Sequence, residues 1–234
     1  MQRACLALAI LMLTWCAPHD VAAQTSPVDA PEEPAADILV RPSPLLGPEL
    51  SSDRLSQDTH ELSGRDVDRT GVPSLTGAVL EQVPGVTVNE TSGNVFQPDI
   101  LYRGFTASPV AGTTQGIAVY VNGARFNEPF GDTVNWDLIP SIAIADAEIE
   151  SSSPVFGLNA LGGSLSVKLK NGFTWQGGEL TAYAGSYSRG AGILQYGAKA
   201  DDFAVYFAAQ ILNDGGWRQT SASQLYQIYG DLGW

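Results

Sequence analysis

The residues able to do chemistry are few, and their positions narrow the chemistry further. The chain has two cysteines, Cys5 and Cys16, and two histidines, His19 and His60. Both cysteines and His19 fall in residues 1–23, which read as a secretory signal. Arg3 supplies a positive start, an apolar run extends from Cys5 to Leu13, and Val21, Ala22 and Ala23 offer a small-residue cleavage site. A mature chain beginning at Gln24 is therefore expected to hold no thiol nucleophile, no disulfide and no multi-histidine metal centre. Without a nucleophile–base–orienter set, no enzyme is expected, and no cofactor. The carboxylates that remain include Glu148 and Glu150, two residues apart on one face of an expected strand. Acid–base work would need a cleft beside them, so a salt-bridge role is the preferred reading.

Charge removes another class. With 25 acidic and 12 basic residues the formal net charge is −13. Nucleic-acid binding needs a basic stripe and is not expected. An acidic surface suits cationic partners, metals or simple solubility after export.

The elements that must position these residues differ in texture along the chain. Residues 24–57 are rich in proline, alanine, serine and acidic residues, with Pro27, Pro31, Pro34, Pro42, Pro44 and Pro48, and predict an extended tether. Within it lies a short apolar island, Asp37, Ile38, Leu39, Val40 and Arg41. Such an island can add a strand to a partner's sheet edge, or be the first strand of the domain that follows. Ser74 opens a helix whose apolar spacing is Leu75, Ala78, Val79 and Val83, closed by Pro84 and Gly85. Strands are expected near residues 59–62, 86–88, 99–102 and 117–121. Arg103-Gly104 and Asn122-Gly123 serve as turns. Residues 127–135 read as a long exposed loop, followed by a helical turn and a strand to Ile149. Gly157, Gly162 and Gly163 lie in a segment requiring close backbone approach, before the alternating strand at residues 164–169. From residue 173 onward, alternating strands separated by short turns fit either a membrane barrel or a soluble antiparallel sheet.

Several of these pieces, in order, carry a resemblance. Leu80-Glu81-Gln82-Val83-Pro84-Gly85-Val86 and Ile100-Leu101-Tyr102-Arg103-Gly104-Phe105 resemble the plug domain of TonB-dependent outer-membrane receptors. So do the Val119 to Gly123 strand and turn, the helix-and-strand at residues 138–149, and the Phe-Gly segment ending in Gly162-Gly163 and running into Ser164-Leu165-Ser166-Val167-Lys168. One departure stands out. The family often carries Arg-Gly before the proline of the last motif, where this chain has Glu150, Ser151, Ser152, Ser153 and Pro154. The missing basic group implies a different contact with the barrel wall.

The resemblance implies an α+β plug domain with a mixed β-sheet, followed by the first antiparallel strands of a truncated transmembrane β-barrel. The implied organisation is a signal at 1–23, a periplasmic tether at 24–57, a plug at 58–172 and barrel strands at 173–234. Asp37 to Arg41 would be the TonB box. Implied partners are TonB of the TonB-ExbB-ExbD system, outer-membrane lipid, the barrel-assembly machinery and a small-molecule ligand. That ligand could be an iron chelate, cobalamin, another metal complex or an oligosaccharide. The place is the outer membrane of a Gram-negative bacterium, plug and tether facing the periplasm. Pro84, Gly85, Arg103, Gly104, Asn122, Gly123, Gly157, Gly162 and Gly163 are implied structural positions, with Arg103 expected to pair with acidic residues of the barrel. Residues 91–98, 106–115 and 126–136 are candidate ligand-facing loops, with Phe126, Asn127, Phe130, Asp132 and Trp136 as candidate contacts. Packing of Trp136 against the barrel wall is preferred over stacking on a ligand. Because plugged barrels use about twenty-two strands, a chain with three or four is expected to be part of a longer receptor or a truncated product, and not to transport by itself.

Overall fold

A computed structural model describes residues 39–40, 50–51, 58–69, 71–152 and 156–234. The expected signal at 1–23 and most of the tether lie outside the described residues, as do Asp37, Ile38 and Arg41 of the apolar island and Ser153 and Pro154 of the last motif. Among the described residues, Leu39–Val40 (β1) pairs antiparallel with Leu50–Ser51 (β2).

The plug is organised by a five-stranded sheet. Its strands are Thr59–Ser63 (β3), Ile117–Val121 (β7), Ala124–Arg125 (β8), Ile144–Ser151 (β9) and Gly163–Leu169 (β10), in the order β3-β9-β10-β7-β8. The β7–β10 pair is parallel and the rest are antiparallel, so the sheet is mixed. Strand alternation divides it cleanly. Leu62, Ala147, Ile149, Leu165, Val167, Ile117 and Val119 lie on one face and are buried in the principal core. Glu61, Glu148, Glu150, Ser164, Ser166 and Tyr120 occupy the alternate positions.

Two helices belong to the same unit. Gly64–Asp68 (α1) begins where the Asp66 carboxylate accepts hydrogen bonds from Ser63 N (2.9 Å) and Ser63 Oγ (2.6 Å). Leu75–Gln82 (α2) begins at Ser74, whose Oγ accepts from Gly77 N at 3.1 Å. Leu75, Ala78 and Val79 bury its apolar face. The helix stops before Pro84-Gly85, where Gly85 takes φ +79°, a value that glycine adopts without steric cost. The three-stranded sheet Val86–Asn89 (β4), Asp99–Tyr102 (β5) and Phe105–Ala107 (β6) follows.

Gly177–Ala184 (β11), Gly190–Ala200 (β12), Phe203–Asp214 (β13) and Ser223–Gly233 (β14) form an antiparallel meander. Here the usual arrangement is inverted. Ile193, Gln195, Tyr206, Ala208, Gln210 and Leu212 are buried against the plug. The opposite face exposes Leu180, Leu194, Tyr196, Phe207, Ile211, Tyr226, Ile228 and Leu232. Leu180 stands opposite Leu194, Tyr196 opposite Phe207 and Ile211 opposite Tyr226, so the apolar side chains form continuous cross-strand rows. A sheet made for water puts polar residues outward. This one puts glutamines inward and leucines outward, as a strand in lipid must.

Strand β13 runs through Asn213 and Asp214, both of which pair with β14. Residues 127–135 are irregular as expected but not wholly exposed: Asn127, Thr133 and Val134 are buried, whereas Phe130 is 90% exposed.

Candidate functional site

Three places in the plug concentrate the residues that sequence reasoning singles out. The first is the leading end of β3, the strand that follows the tether region. Asp58 exchanges bonds with β9: Ser151 N donates to Asp58 O at 2.9 Å, and Asp58 N donates to Ser151 Oγ at 3.2 Å. Its carboxylate meets Arg103 Nη2 at 3.0 Å and His60 Nε2 at 3.4 Å. Arg103 and Gly104, at φ +53° and +86°, make the two-residue turn between β5 and β6. That turn projects the guanidinium to the start of β3. Among the described residues Arg103 pairs with Asp58, within the plug, and not with an acidic residue of the wall strands. Nothing in local sequence links residues 58 and 103. They meet only because β3 is an edge strand of one sheet and the β5–β6 turn closes another.

The second place gathers loops at the ends of β7 and β8. Asn122 and Gly123, at φ +49° and +80°, close the β7–β8 hairpin. The Asn122 Oδ1 also accepts from Leu169 N at 2.8 Å, so this turn pins the end of β10. Residues 126–135 then fold back. Asn127 Oδ1 accepts from Val119 N at 2.7 Å, and Asn127 Nδ2 donates to Ile117 O at 3.1 Å. Asp132 pairs with Arg125 Nη2 at 3.0 Å and accepts from Asn159 Nδ2 at 2.6 Å. Asn127 and Asp132 are thus committed to internal bonds, and Phe126 packs on the core. Phe130 and Leu158, 90% and 77% exposed, remain free to meet something else. Thr113, Gln115, Pro129, Gly131, Asp132 and Asn159 line a shallow cleft of about 400 Å³ here. Gly157 takes φ +72°, and Gly162 lies so close to Phe105 that any side chain would overlap the ring.

The third place is the contact between plug and wall. Trp136 opens a single 3-10 turn, Trp136–Leu138, and is 5% exposed. It shares a small cavity with Gln210, Leu212, Leu225 and Gln227 of the wall. Gln227 Nε2 donates to the carbonyls of Asp137 and Ile139, and Gln97 bonds both Asp137 and Trp136 N. At the far end of β10, Lys170 Nζ donates to Ile142 O at 2.9 Å and Gln195 Oε1 at 3.2 Å. Tyr206 OH donates to the same Gln195 oxygen at 2.7 Å. Burial holds the Lys170 ammonium below its ordinary range, while Asp68 and Glu179 pull it back up. Arg218, between β13 and β14, reaches Glu90 of the plug at 3.4 Å. Sequence reading did not find these ties. Its one available signal was polar residues, Gln195, Gln210 and Gln227, on the face that apolar neighbours would otherwise claim.

The carboxylates Glu148 and Glu150 do share a face, as their spacing requires, but they form no salt bridge among the described residues. Burial, reinforced by the adjacent Glu150, pushes Glu148 up to about 8. Burial also raises Glu150. No group of three or more metal-binding side chains occurs among the described residues.

The architecture is a mixed five-stranded sheet with its helices, packed on an antiparallel sheet whose outer face is apolar. Residues 52–164 match the TonB-dependent Receptor Plug Domain. No curated protein sequence matches. The fold is similar to the ferric-catecholate import receptor Fiu of E. coli K12, at 19% identity and TM-score 0.54, over 76% of this chain and 24% of that one. It is also similar to BauA, the ferric preacinetobactin receptor of Acinetobacter baumannii, at 14% identity and TM-score 0.57, over 79% of this chain and 27% of that one. The siderophore receptor PiuA of the same organism gives 18% identity and TM-score 0.54, over 75% and 23%. The chain therefore spans about a quarter of the length of these solved structures.

Proposed function

We propose that this chain is the N-terminal part of an outer-membrane active-transport receptor energised by TonB of the TonB-ExbB-ExbD system. Its cargo would be a siderophore or another metal complex, with cobalamin and oligosaccharides in the same range of candidates. The observation that carries this reading is the docking of a plug domain onto strands whose outward face is apolar. A plug closes a lumen, and such strands need lipid. Residues 1–23 would direct export, and 24–57 would be the tether. Within the tether, Asp37, Ile38, Leu39, Val40 and Arg41 would offer backbone bonds to TonB as an added strand. In this scheme force on the tether is transmitted to β3, the strand that follows it. Phe130, with Leu158 beside it, is the side chain best placed to meet a ligand. Trp136 and Asn127 are committed inward.

The test is binding of the full chain, in detergent micelles, to the periplasmic C-terminal domain of TonB by calorimetry. Deletion of residues 37–41 should abolish binding. Equal binding by the deleted chain would remove that segment from the reading, and no binding by either would contradict the energised-receptor proposal.

A further inference from the structure

The polar face of the five-stranded sheet carries a feature that neither plug closure nor wall docking uses. Two rows cross it in register: Glu61–Glu148–Ser166 and Thr59–Glu150–Ser164, from β3, β9 and β10. Glu148 and Glu150, two residues apart on β9, bring their carboxyls to the same face of the sheet. Two carboxylates side by side in a buried setting cannot both be ionised cheaply, so the pair retains a proton. Glu150 is 1% exposed. Its Oε2, Glu148 Oε1 and Ser164 Oγ are buried without a hydrogen-bond partner among the described residues. The charged groups facing the pair are Glu61 from β3, Asp146 from β9 and Lys168 from β10. Lys168 is already paired with Asp146 at 3.2 Å. Tyr120 of β7, next in the row, donates its hydroxyl to Phe156 O at 2.5 Å and offers the pair no bond.

We propose that Glu148 and Glu150 form a proton-binding site whose occupancy sets how firmly β3 is held in the plug sheet. Strand β3 lies at the edge of the sheet, where its neighbouring strand is β9. Glu61 stands opposite Glu148, and Thr59 opposite Glu150. With the proton bound, the pair carries at most one negative charge. Losing the proton places a second charge beside the first and opposite Glu61. Water reaches both carboxylates if β3 separates, so separation becomes the relief. The link to transport rests on the reading of residues 24–57 as the pulled tether; the proton chemistry does not.

The sign follows from linkage. Glu148 is raised in the folded sheet, so the closed sheet holds a proton that the opened one releases, from the ordinary carboxylate range up to about 8. Closure of β3 is favoured most at the acidic end of that window, weakens as pH rises through it, and weakens no further above it. Each pH unit inside the window shifts the opening equilibrium by up to about tenfold for one proton.

Amide hydrogen exchange of the full chain in detergent micelles at pH 6 and pH 9, corrected for intrinsic rates, tests this. The protected amides of Thr59–Ser63 should lose protection by roughly tenfold or more relative to those of Ile117–Val121. The double variant Glu148→Gln, Glu150→Gln should abolish the difference. Equal loss in both strands, or an undiminished loss in the double variant, would overturn the proposal. Should the double variant not fold, Glu61→Gln, at an exposed position, must measurably shrink the β3 loss; no shrinkage is the contrary result. Because TonB takes no part, failure here leaves the transport reading standing, and failure to bind TonB leaves this result standing.

Discussion

The plug sheet and the β11–β14 sheet use the same period of two and answer to different surroundings. In the plug, Ile149 and Leu165 face a core closed by α2 and neighbouring strands, each about 1–2% exposed. In the wall, Ile228 and Leu180 are 78% and 81% exposed, while Gln195 and Gln210 are buried. The plug carries its own interior. The wall borrows one from the plug on one side and exposes an apolar face on the other. Alternation thus places residues on faces, but the identity of the inward residues decides which solvent each face was built for.

The comparison can be broken most decisively in the plug core. Ile149→Ala should cost about 2–5 kcal/mol of plug stability, the range for truncating a buried aliphatic side chain. Ile228→Ala on the wall should cost well under about 1 kcal/mol in micelles. Denaturant titrations of both variants measure the contrast, and equal losses would contradict the two-surroundings account. Next in size, Ile228→Lys should weaken membrane association by about 2–4 kcal/mol if that residue meets the bilayer midplane. Liposome partitioning reads this directly.

Where plug meets wall, Lys170→Met should cost about 1–3 kcal/mol, because Ile142 O and Gln195 Oε1 lose the ammonium donor they share in a buried setting. The loss should appear as earlier separation of plug from wall, seen by limited proteolysis, with the plug's own denaturation midpoint nearly unmoved. Gly162→Ala should cost about 1–3 kcal/mol through overlap with Phe105. Smallest, Arg125→Ala removes a pair whose members are 27% and 19% exposed. It should cost about 1 kcal/mol and loosen residues 126–135, checked by thermal melting.

Most of the plug was legible because its signals are local. Ser74, Pro84-Gly85, Asn122-Gly123 and Arg103-Gly104 each specify a backbone event within a few residues. The alternation of Leu165, Val167 and Leu169 specifies a face. What escaped depends on tertiary meeting. Arg103 finds Asp58 because an edge strand and a turn from separate sheets converge. Asn127 looks like loop polarity in sequence but is spent on the backbone of β7. Glu148 and Glu150 were placed on one face correctly, yet among the described residues their expected salt bridge is absent, Lys168 being aligned with Asp146 in the register of β9 and β10. The wall was ambiguous between barrel and soluble sheet until the plug was seen to cover its glutamine-bearing face.

The most direct measurement places a fluorophore at two neighbouring positions of β14, Gln227 and Ile228, in a chain with Cys5 and Cys16 replaced by serine. In liposomes containing brominated lipid, the probe at 228 should be strongly quenched and the probe at 227 protected by the plug. Equal quenching at both, or none at either, would contradict a plug docked on lipid-facing strands.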